Sequence, residues 1–142
     1  MEISHVRKQL KHAMDRARDR AHQRRGRTTE AERAYETFLQ DVATPLTRQV
    51  ANALKAEGYA FTLFTPGGGL RLASDRGRDD YVELTLDTSG DRPQIMARIS
   101  QTRGSRTIED ERPLRKDASP DQVTEADVLE FWLDALEPWL ER

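Results

Sequence analysis

The sequence predicts an α+β fold: an N-terminal antiparallel helical hairpin, a four- to five-stranded antiparallel meander sheet, and a C-terminal helix packed on one sheet face. Three observations carry that expectation. Apolar residues recur every three or four positions up to Glu57, every second position between Tyr59 and Ile99, and every three or four again after Thr124. A period of 3.6 lines apolar side chains along one stripe of a helix, and a period of 2 puts them on one face of a strand. Helices covering one face of an antiparallel sheet are the layer arrangement that fits this order.

Ile3, Val6, Leu10, Ala13, Met14, Ala17 and Ala21 predict an amphipathic helix over residues 3–25. Gly26 is placed to stop it and Thr28 or Thr29 to cap the next, so a tight turn between two antiparallel helices is expected. The second helix, residues 29–57, carries Ala31, Ala34, Tyr35, Phe38, Leu39 and Val42 before it meets Thr44-Pro45. A kink or restart is expected there, because proline has no N–H to donate inside a helix but fits a first helical position. Leu46, Val50, Ala53 and Leu54 continue the stripe to a glycine cap at Gly58.

Tyr59, Phe61 and Leu63, then Leu70 and Leu72, then Val82, Leu84 and Leu86, then Ile95, Ala97 and Ile99 predict four half-buried strands. The breakers Pro66 to Gly69, Asp75 to Asp80 and Thr88 to Pro93 suit hairpins. A weaker fifth strand over 105–112 brings the sheet to about residues 59–112. Thr124 and Asp127 resemble a capping box that opens a helix over 124–142. Leu129, Trp132, Leu133, Leu136, Trp139 and Leu140, broadened by Val128 and Phe131, make it the lid on the sheet, and Pro138 is expected to distort its last turn.

Composition limits what the chain does. Its 142 residues suit a basic helical arm, 1–27, and a single domain, 28–142. With no cysteine, disulfides, thiolate metal sites and cysteine nucleophiles are excluded, which fits a reducing, cytoplasmic setting. No apolar run approaches the roughly 18 residues of a membrane span, and no secretory signal is evident, so no membrane partner is expected. Arginine outnumbers lysine 19 to 4, a bias read here as bacterial genome composition.

Charge is the most unequal feature. Residues 1–27 hold nine Lys/Arg against three Asp/Glu, a net of +6, whereas residues 28–142 hold 14 against 22, a net of −8. Such asymmetry speaks of partners and steering, not of fold. A thin apolar stripe on a basic helix points to a protein partner or homo-oligomer. The partner-binding candidates are Val6, Leu10 and Met14, with Trp132 and Trp139 from the last helix. The alternative is a nucleic-acid accessory protein whose Arg16, Arg20, Arg24 and Arg25 meet phosphates, although no aromatic residue stands among them to stack on bases. Folding back beside Glu30, Glu32, Glu36 and Asp41 would instead spend those arginines on intramolecular pairs.

Other patterns point to ordinary surface. His12, Asp15, Asp19 and His22 share one helical row, but one helix closes no metal site without opposing ligands, so a solvated face is expected. Asp75, Asp79, Asp80, Glu83, Asp87 and Asp91 interleave with Arg71, Arg76, Arg78, Arg92 and Arg98, as cross-strand pairs on a solvated sheet face do. Pro66-Gly67-Gly68-Gly69 leads into a strand and lacks the Gly-Lys-Ser/Thr and following helix of a phosphate loop. All three histidines lie in the first 22 residues, away from any nucleophile elbow. No catalytic set, metal site or cofactor motif is expected, and the chain reads as a non-catalytic binding or adaptor protein.

Overall fold

A computed structural model describes all of residues 1–142. Helix α1 spans Ile3–Phe38, a π-helical turn covers Leu39–Ala43, and helix α2 spans Thr44–Ala56. Strands β1 (Phe61–Phe64), β2 (Gly69–Ser74), β3 (Tyr81–Asp87), β4 (Gln94–Arg103) and β5 (Arg106–Pro113) pair in chain order as one antiparallel sheet. A short 3₁₀ turn, Pro120–Gln122, leads to α3 (Glu125–Ala135) and α4 (Glu137–Leu140). The α+β class and the meander are as the sequence predicts, and the fifth strand is fully paired with β4.

The helical hairpin is not formed: α1 runs through Gly26 without a turn. Gly26 does not adopt a left-handed φ, unlike Gly58, Gly68 and Gly104, and nothing lies within 4 Å of where its Cβ would be. Thr29 does not cap a new helix, because its hydroxyl donates to the Arg25 carbonyl at 3.0 Å, the bond a helix-interior threonine makes. One interior glycine costs about 1 kcal/mol relative to alanine, too little to break a long run of good helix formers.

At Thr44-Pro45 the expected kink takes the form of the π turn. The Thr44 N–H reaches back to the Leu39 carbonyl, and Pro45 then sits in the first turn of α2, where its missing donor is harmless. Thr124 and Asp127 form the capping box, with bonds of 2.9 and 3.2 Å. Pro138 ends α3 at Ala135 and falls in the first turn of α4.

The core lies on one face of the sheet. Register pairs Leu72 with Val82, Leu70 with Leu84 and Val82 with Ile99, so these side chains share that face. Tyr35, Phe38, Leu46, Leu54, Val128, Phe131, Trp132 and Trp139 cover it from the helices. Tyr35 donates its hydroxyl to the Leu84 carbonyl at 3.2 Å, and burial, with the Glu83 charge adding to it, pushes its pKa above the usual phenol range. Gly69 is required beside that carbonyl, since a Cβ would stand 2.8 Å from the Leu84 oxygen.

The opposite sheet face is polar, as the alternation predicts. Arg71 pairs with Glu83 at 3.0 Å and lies over the Tyr81 ring, and Arg98 pairs with Glu111 at 2.7 Å. Asp80 departs from the solvated reading: it is buried. Its Oδ1 accepts from the Thr102 N–H at 2.8 Å and from Trp139 Nε1 at 3.1 Å, with Arg142 at 3.6 Å. A buried carboxylate is tolerated where several donors converge on it, even though the rest of the turn is largely exposed. Gly77 makes room for it, because a Cβ there would collide with the Asp80 carboxylate.

Candidate interaction surface

The chain divides into two compact units, Met1–Glu30 and Ala31–Arg142, and each presents its own surface. In the first unit, a turn of about 100° per residue gathers Ile3, Val6, Leu10 and Met14 on one stripe of α1. All four are exposed, Leu10 at 59%. Arg7, Arg18 and Arg25 follow one edge of this stripe, and Arg20, Arg24 and Arg27 the other. Asp15 and Asp19 fall on the far side with His12 and His22.

None of the nine Lys/Arg of residues 1–27 takes part in an ion pair; the five pairs are Arg71–Glu83, Arg98–Glu111, Arg112–Asp134, Arg115–Asp127 and Arg142–Asp80. Pairing with Glu30, Glu32, Glu36 and Asp41 is absent, because it required the turn that α1 does not make. Of the phosphate-binding candidates, Arg16, Arg20 and Arg24 follow one another at four-residue steps along one row, whereas Arg25 lies across the stripe from them.

In the second unit, Trp132 and Trp139 are spent on the core. Trp132 is 0% exposed and its indole N–H donates to Thr47 Oγ1 at 3.0 Å; Trp139 stacks edge-on against Phe61 and donates to Asp80. Neither offers surface to a partner. Burial selects Val128, Phe131, Trp132, Ala135, Leu136 and Trp139 for the inner side and leaves Leu129, Leu133 and Leu140 outside, Leu133 at 63%. These exposed leucines were assigned to the lid face by periodicity. The signal that separates them is the excess of apolar residues: nine in the thirteen positions from Val128 to Leu140 are more than one helix face holds.

The leucines stand in the most acidic part of the protein. From Asp117 to Glu141 there are eight Asp/Glu and no Lys/Arg, while residues 28–116 together with Arg142 hold 14 of each sign. The whole −8 of residues 28–142 therefore belongs to this segment. Asp127 and Asp134 are paired with Arg115 and Arg112, at 3.3 and 2.8 Å. Glu125, Glu130, Glu137 and Glu141 are exposed and outside every ion pair. The Thr124 backbone N–H holds the Asp127 carboxyl below the usual carboxylate range, with the Thr124 hydroxyl and Arg115 assisting.

The sheet edges are poor docking strands. Edge strand β1 has four residues, and β5 carries Arg106, Glu109, Asp110, Glu111 and Arg112 before ending at Pro113. Short strands, edge charges and proline all oppose further pairing. Surface clefts of about 400 and 340 Å³ lie beside the π turn, between Phe38, Val42 and Pro120, and beside α3, between Arg112, Leu114 and Glu130. No group of three or more His, Asp or Glu is gathered for a metal ion, and no helix is long and apolar enough to cross a membrane.

No protein-family model, curated protein or solved structure is a significant match to this chain.

Proposed function

We propose that the chain is a non-catalytic binding or adaptor protein that acts through its N-terminal helix, by homo-oligomerisation or by holding a protein partner. The observation that supports this most directly is the exposed stripe Ile3, Val6, Leu10 and Met14, flanked by arginines that no carboxylate of the chain neutralises. An exposed apolar stripe with a charged border is the surface of a helix that packs on something else. The core cluster draws on residues from Tyr35 to Trp139, so removing residues 1–27 leaves it intact. That deletion is expected to preserve cooperative unfolding while lowering the assembly mass or abolishing partner capture. Unchanged mass together with intact partner capture refutes the reading.

The unpaired arginines also favour a second reading, a nucleic-acid accessory protein that tracks phosphates without reading sequence. Fluorescence anisotropy with random-sequence duplex and single-stranded RNA, at about 50 and 200 mM salt, separates the two. Binding that collapses with salt and is lost on changing Arg16, Arg20, Arg24 and Arg25 to glutamine supports the second reading. No binding at the lower salt removes it.

A further inference from the structure

We propose that the acidic outer face of α3 and α4 is the docking surface for the basic helix of a second copy of this chain, so that two copies exchange their N-terminal helices. The inference rests on the self-association reading above and names its partner surface.

Charge complementarity chooses the occupant. Residues 1–27 carry +6 with no internal ion pair, and Asp117–Glu141 carries −8, with Asp117, Asp121, Glu125, Glu130, Glu137 and Glu141 exposed and free of any ion pair. Pairing two such helices with each other would instead bring +6 against +6, and like charges oppose association. The apolar parts match too. Ala126, Leu129 and Leu133 follow one another at three and four residues on the exposed side of α3, with Glu130 and Glu137 four residues beyond Ala126 and Leu133. The stripe from Ile3 to Met14 spans eleven residue steps, about 16 Å of helix at 1.5 Å per residue, and the exposed leucines from Leu129 to Leu140 span the same number of residues across α3 and α4. Each exposes leucine in the middle of a field of one sign. Because every chain brings one basic helix and one acidic face, two copies satisfy both sets in a closed two-fold arrangement, with nothing left over.

Light scattering after size exclusion tests this on the full-length chain. The wild type is expected at twice the chain mass in about 50 mM salt and at the chain mass in about 500 mM, where exposed charges are screened. Reversing the arm (Arg7→Glu, Arg18→Glu, Arg25→Glu) or the face (Glu130→Arg, Glu137→Arg) is expected to give the chain mass in low salt. Mixing the two variants is expected to restore twice the mass, with one of each. Leu133→Glu, at an exposed site, gives the same loss without charge reversal, and the buried Trp132 and Trp139 report by fluorescence that each variant is folded. In a mixture of isotopically light and heavy chains, cross-links from Lys8 or Lys11 to Glu130 or Glu137 are expected between light and heavy copies. Cross-links only within one copy overturn the exchange. A face reversal that leaves the doubled mass, while the arm reversal abolishes it, overturns the docking surface but keeps self-association. The chain mass at every salt overturns both and leaves a heterologous partner as the surviving part of the proposed function.

Discussion

Residues 1–30 and residues 31–142 differ in what holds them in shape. In the first, stability is local: one unbroken run of helix, every residue of Met1–Arg20 exposed, and no ion pair. In the second it is long-range: a sheet of five strands, a single apolar cluster, and indole N–H groups bonded to residues 85 and 59 positions away. Isolated helices in water are marginal, so a long helix with an exposed apolar stripe gains from being covered, while the body already buries its own. The difference places the long-range folding contacts in the second region and leaves the apolar stripe of the first uncovered by its own chain.

The sharpest way to break that division is to cut the core. Trp132→Ala removes a fully buried indole and its bond to Thr47, and is expected to cost about 3–5 kcal/mol, read from urea unfolding monitored by far-UV circular dichroism. Leu10→Ala at the exposed stripe should shift the same unfolding by no more than about 0.5 kcal/mol in the monomer; a loss comparable to Trp132→Ala would erase the contrast.

Asp80→Ala comes next. It leaves the Trp139 N–H and the Thr102 N–H without their acceptor, at a cost of about 2–3 kcal/mol, and Asp80→Asn should recover part of it by keeping an oxygen in place. If both variants unfold with the wild type, Asp80 is not what ties the β2–β3 turn to α4.

A smaller effect of opposite sign is expected in the helix. Gly26→Ala meets open space and should add about 0.5–1 kcal/mol of helix stability, visible as a rise in ellipticity at low temperature. A fall would mean that Gly26 serves as a turn after all.

The smallest is a pH effect at the α3 cap. The folded pKa of Asp127 lies below its unfolded value, so its contribution is present above the unfolded value of about 3.9 and is lost as pH falls through the folded one. The gap in unfolding midpoint between wild type and Asp127→Asn should therefore be open at neutral pH and close on acidification. A gap that persists at the acid end would assign the effect to packing instead.

Much of this architecture was legible in the sequence. The period switch at Tyr59 located the sheet, the Thr124 and Asp127 spacing located the last helix, and Pro45 located the irregular turn. The hairpin at Gly26 was misplaced because glycine and threonine are both good terminators and tolerable interior residues, and only the bond from Thr29 back to Arg25 separates the two roles. The apolar stripe Val6, Leu10 and Met14 was legible as a stripe, but its exposure was not, because the expected hairpin laid the first helix beside the second and only the unbroken course of α1 leaves the stripe uncovered. Periodicity put Trp132 and Trp139 on the lid face but names an apolar set without saying which members the body claims, and their burial leaves no surface for the partner role also given to them.

What the sequence determined by itself is therefore whatever is local: periods, caps, breaks, and a charge polarity that runs from the first helix to the last. What only the tertiary structure decided is which of two eligible faces turns inward. On α3 that choice buries Val128, Phe131 and Trp132 and leaves Leu129 and Leu133 to solvent; at the β2–β3 turn it buries one aspartate of an acidic run and exposes its neighbour Asp79. Both depend on donors and surfaces brought close from far along the chain: Thr47 for Trp132, and Thr102 and Trp139 for Asp80. No local pattern encodes such partners, since burying a polar group is tolerated only where distant chain supplies its hydrogen bonds.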